Sequence, residues 1–135
     1  MNVLVVSYVE GITEEIVEVI KKTCQDASID IVLDTLHARS NLFKREYDLM
    51  VIDMMVQKDN NYCVGPLLKP ALDLLNNIND FNRLNKPKKV FALFDKDETG
   101  NAGKNEVISL GHKISDFNFS SIQWRCELMD YMEME

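Results

Sequence analysis

From its amino end, the chain alternates short apolar runs with stretches in which apolar residues recur at helical spacing. Val3-Leu4-Val5-Val6 shows no polar alternation, the mark of a strand buried on both faces. In the segment that follows, Thr13 suits an N-cap, Glu14 and Glu15 suit the positive helix end, and Ile12 can staple to Val17. Ile16, Val17, Ile20 and Cys24 share one face, and Glu18 pairs with Lys22 on another, so the spacing predicts a helix over 13–25. Residues 29–33 alternate as a strand nearer an edge would, and 35–45 read as a helix held down by Leu36, Leu42 and Phe43. The run 47–53 is a second doubly buried strand, ending in the carboxylate of Asp53. A polar loop over 57–65 leads to Pro66 and Pro70, which fit only a first turn, so a helix is predicted over 70–82. A strand over 88–94 stops at Asp95. Beyond a Gly-bearing loop come a helix over 106–114, a weaker strand over 121–124 and a terminal helix over 127–134, with Leu128, Met129 and Met132 inward.

Strands alternating with helices imply an α/β fold: a five-stranded, doubly wound parallel sheet with helices on both faces, of flavodoxin-like type. The 135 residues fit a single domain over 1–135. At 46% apolar and 27% charged the composition is that of a globular protein rather than a disordered tail. No apolar stretch nears the ~20 residues a membrane span needs, and the amino end lacks the pattern of a secretory leader, so no membrane partner is expected. Cys24, Cys63 and Cys126 are odd in number and far apart, which points to reduced thiols and a cytoplasmic location. Fifteen Lys and Arg face 22 Asp and Glu, for a net charge of −7; that surplus repels phosphate backbones, so direct binding of nucleic acid is not expected. The chain stops inside a predicted helix, which points to one domain of a longer effector.

Ligands of such a sheet bind outside the carboxyl ends of its strands. That topology puts Glu10, Asp53, Asp95 and Asp97 on one rim as a candidate metal set, with Trp124-Arg125 after the expected last strand.

The first sixty residues resemble a bacterial response-regulator receiver domain. The resemblance rests on Val3-Leu4-Val5-Val6, on Ile31-Val32-Leu33-Asp34 with Ala38, and most on Glu46-Tyr47-Asp48-Leu49-Met50-Val51-Ile52-Asp53-Met54-Met55. It implies that Asp53 stands at the phosphoaccepting aspartate. The departures are as informative. Ser7 and Tyr8 occupy the places of two acidic residues that hold Mg²⁺ in receivers, and Phe94 replaces the Ser/Thr that ends the fourth strand. Trp124-Arg125-Cys126 is expected in place of the Lys-Pro after the fifth strand. Aspartyl phosphorylation puts a dianion beside a carboxylate and needs a metal and a lysine to neutralise developing charge. The resemblance therefore implies a pseudo-receiver of the two-component signalling type. Its partner is a protein, a sensor or effector component, engaged through the face about 106–114 and 121–132. No cofactor is required; Mg²⁺ and a homodimer are both compatible with this reading.

Asp95-Lys96-Asp97-Glu98-Thr99-Gly100 admits other readings. With Val9-Glu10-Gly11 it resembles the two motifs of Toprim nucleases, in which Glu10 is general acid/base and Asp95 and Asp97 hold metal. Residues 95–106 also follow EF-hand spacing, although Ala102 stands where a bulky apolar residue belongs. A DxDxT pattern resembles haloacid-dehalogenase phosphatases, but too little chain follows Thr99 for their remaining motifs. The plainest reading is a solvated acidic loop turned by Gly100 and Gly103. His37 and His112 are expected at the surface, and Trp124 with Arg125 forms either an exposed interaction face or a lid over the sheet.

Overall fold

The computed structural model describes residues 1–59, 68–80 and 83–134. Most of the expected loop 57–65, with Cys63, Pro66 and the helix end at 81–82, lies outside the described residues.

Five strands form one parallel sheet in the order β2-β1-β3-β4-β5: β1 (Asn2–Val6), β2 (Ser28–Val32), β3 (Leu49–Asp53), β4 (Lys89–Phe94) and β5 (Lys113–Asp116). Val6 lies opposite both Val32 and Ile52, and Asp53 opposite Leu93. The three inner strands, β1, β3 and β4, are those with continuous apolar runs, because helices cover both of their faces. Leu4, Val6, Met50, Ile52, Val90, Ala92 and Phe94 point to one core, under α2 (Thr35–Lys44), α3 (Lys69–Asp80) and α5 (Lys104–Ser109). Val3, Val5, Leu49, Val51, Phe91 and Leu93 point to the other, under α1 (Glu10–Thr23) and α6 (Gln123–Glu133). The remaining element, α4, is a single helical turn over Lys96–Thr99.

Helix α1 begins three residues before the expected Thr13. Its N-cap is Val9, whose carbonyl receives both the Thr13 amide and the Thr13 hydroxyl, so Thr13 bonds back along the helix instead of capping it. In α2 the inward residues are Ala38 and Leu42, whereas Leu36 and Phe43 face solvent. The sequence pattern misplaces the fifth strand and sets the helices on either side of it a few residues late. Gly111 takes a left-handed φ of 89° and stops α5 early, so the strand expected over 121–124 forms instead at Lys113–Asp116. Ser121–Trp124 enters α6, with the Ser121 hydroxyl accepting the Gln123 amide at 3.1 Å. Leu128 and Met132 turn inward as expected, and Met129 turns out.

Candidate functional site

Asp53 ends an inner strand, where a carboxylate closes an apolar run. Only 6% exposed, it accepts the Met55 amide at 3.0 Å. Burial pushes its carboxyl up from the ordinary range, the Met55 hydrogen bond pulls it down, and neighbouring Asp95 pushes it up again. Ser7 follows β1, the strand beside β3; it is fully buried, and its hydroxyl has no hydrogen-bond partner among the described residues. Asp34, beyond β2 on the other side of β1, is also buried. Its Oδ1 caps α2 by accepting the His37 amide and facing the His37 Nδ1, both at 2.7 Å, while its Oδ2 is unpartnered among the described residues. The burial of Ser7 and Asp34 is not legible in the sequence, because a polar residue just beyond a strand is equally compatible with solvent.

The acidic segment after β4 is a helix cap. Asp95 Oδ1 accepts the Asp97 amide at 3.1 Å, and the Asp95 carbonyl receives the Thr99 amide and hydroxyl, both at 2.9 Å, closing α4. Asp97 is exposed, and Glu10 sits exposed in the first turn of α1. Glu10, Asp53, Asp95 and Asp97 thus share the carboxyl end of the sheet, with Asp95 and Asp97 in one capped turn beside Asp53 and Glu10 in the first turn of α1. Among the described residues no group of three His, Cys, Asp or Glu gathers that could hold a metal ion. The EF-hand reading is overturned, because β4 enters the segment as a strand where an incoming helix is required. The Toprim reading is not favoured: its acidic pair follows β4, not a third strand, and its carboxylates do not converge.

At the far edge, β5 ends in Ser115-Asp116, followed by Phe117-Asn118-Phe119, so the position after the fifth strand carries neither lysine nor proline. This moves the departure expected at Trp124-Arg125-Cys126 to Asp116–Phe119. A cation reaches this edge from elsewhere: Lys104 Nζ lies 2.5 Å from Asp116 Oδ1 and 5.8 Å from the Phe94 ring centroid. Its side chain is largely buried, and the pair lines a cavity of about 180 Å³ with Gln123 and Glu127. Trp124 and Arg125 are not a surface. Trp124 is fully buried, its Nε1 donates to the Asn118 carbonyl at 3.2 Å, and Phe117 packs 5.0 Å from its ring. Arg125 pairs with Glu15, tying α6 to α1. The pair is a lid, for the physical reason that an indole at the start of an amphipathic helix faces the sheet.

Neither a protein-family model nor a curated protein sequence matches the chain. Solved structures do. The receiver domain of a Pseudomonas aeruginosa sensor histidine kinase, which carries a magnesium ion coordinated in its active-site cleft, superimposes with a TM-score of 0.66 at 15% identity, over 96% of this chain and 91% of that one. This chain has the receiver fold. The non-phosphorylated HemR receiver domain from Leptospira biflexa gives 0.66 at 16% identity, covering 99% and 95%. The bacteriophytochrome response regulator RtBRR gives 0.70 at 12%, covering 99% and 78%.

Within this receiver fold, Ser7 and exposed Tyr8 follow β1, and Asp53 is the carboxylate beside them. Mg²⁺ demands near-octahedral oxygen coordination and is held through carboxylates. Here Asp53 and its neighbour Asp95 supply the nearby carboxylates, and Ser7 stands beside them with a hydroxyl in place of a further acidic side chain.

Proposed function

We propose that this chain is a receiver-type regulatory domain that acts by binding a protein partner, a sensor or effector component, and that it does not cycle aspartyl phosphate in the ordinary way. The reading treats 1–135 as one cytoplasmic domain of a two-component type of signalling system. The observation that carries it is the surrounding of Asp53: buried, pushed toward its neutral form, and next to a second carboxylate rather than a cation. A phosphoryl group arriving there adds negative charge that the neighbourhood does not neutralise. Lys104, the buried ammonium at this end of the sheet, is engaged with Asp116. Mg²⁺, if it binds, is a loosely held counter-ion of the rim and not a required cofactor.

The partner-binding surface in this reading is formed by α5, β5 and α6, where Ile108 is exposed and a small polar cavity opens beside Asp116. Homodimerisation through the same face is part of the proposal. Incubation with acetyl phosphate and Mg²⁺, followed by intact-mass measurement, is expected to leave the mass unchanged. An added phosphoryl group that Asp53→Asn abolishes would overturn the proposal.

A further inference from the structure

A second surface lies on the opposite edge of the sheet. β2 is an edge strand, paired only with β1, and α1 leaves its Ile31 half-exposed. Between them runs a groove of about 690 Å³, floored by Val17, Ile31, Leu33 and Tyr8. Ile31 and Leu33 are 48% and 43% exposed, although each lies on or just beyond a strand of the sheet. Large apolar side chains side by side at a groove mark a docking surface.

The charged residues that line the groove are all acidic. Glu10, Glu14 and Glu18 follow one another at four-residue spacing along α1, a line of carboxylates about 12 Å long. Glu18 is matched by Lys22 at 2.9 Å, whereas Glu10 and Glu14 have no hydrogen bond or ion pair among the described residues. A second copy of this chain would bring a protein of net charge −7 against the same acidic line. A helix with one apolar stripe and Lys or Arg beside it at four-residue spacing meets both features together.

From the groove and its rim we infer that the α1–β2 edge is a docking site for a basic amphipathic helix. The apolar stripe of that helix seats on Val17, Ile31 and Leu33, and its cations face Glu10 and Glu14. This site lies at the β2 edge of the sheet, opposite the β5 edge, and does not depend on the fate of Asp53.

The test uses the whole chain and two labelled peptides of about 18 residues, both patterned as amphipathic helices, one of Leu and Lys and the other of Leu and Glu. Fluorescence anisotropy is expected to show saturable binding of the Leu/Lys peptide and none of the Leu/Glu peptide. Ile31→Asp and Glu14→Lys, both at exposed positions, are each expected to weaken binding about tenfold. Asp73→Lys makes the same charge change on α3, across the sheet, and is expected to leave binding unchanged. Equal weakening by Asp73→Lys reduces the binding to bulk charge attraction and overturns the inference, as does full binding by Ile31→Asp. Sedimentation showing a dimer that Ile31→Asp dissolves assigns the groove to a second copy, and overturns it equally.

Discussion

Asp53 illustrates what a single residue's surroundings do to its chemistry. Its folded pKa lies above the ordinary carboxylate value, so the folded state holds the proton more tightly than the unfolded chain does. The stability this supplies is fully present below the unfolded pKa and is lost as pH rises through the folded one. At neutral pH, ionised Asp53 therefore costs the fold stability. Asp53→Asn removes the charge and keeps an oxygen to accept the Met55 amide, so it is expected to stabilise the protein by on the order of 1 kcal/mol at neutral pH. Thermal unfolding of both proteins across pH checks this: the gap should narrow as the solution is acidified. A gap of the opposite sign at neutral pH would mean that the carboxylate is held by a cation. The place of Asp53 was readable in the sequence, since a carboxylate closing an apolar β-branched run sits at a strand end. Its burial and its carboxylate neighbour were not, because Asp95 arrives from another strand.

At the level of elements, the sharpest lesson is the seat of α6. Trp124 sits in the first turn of that helix, packed on Phe117 and bonded to Asn118. Trp124→Ala is expected to cost about 3–5 kcal/mol in urea unfolding, as for a large aromatic removed from a core. Trp124→Phe keeps the ring packing, loses the indole hydrogen bond and should cost clearly less. A near-zero cost for the alanine variant would restore Trp124 to the surface. The sequence pattern pointed to a strand here because Ile122 and Trp124 alternate with polar residues, and nothing nearby outweighs that signal. The stop at Gly111 was present in the letters but is inseparable there from a tolerated helical glycine; it shows only in the backbone, as a positive φ.

For the whole molecule, the carboxyl end of the sheet gathers four carboxylates from three separate elements, and among the described residues they do not focus on one point. Calorimetric titration with Mg²⁺, Mn²⁺ or Ca²⁺ is expected to show no saturable site below the millimolar range. A stoichiometric site lost in Asp53→Asn would show that the rim closes around a cation after all. The α/β class, the order of elements through β4 and the inner place of β1 and β3 follow from the chain alone, because a strand buried on both faces needs an unbroken apolar run and leaves that run in the sequence. Edges obey no such rule. Where β5 falls, that Trp124 is covered, that Lys104 meets Asp116 and that the α1–β2 groove stays open all depend on residues far apart in the chain. Local pattern carries no record of those meetings, since each residue's own composition is equally compatible with solvent; packing alone chooses between them.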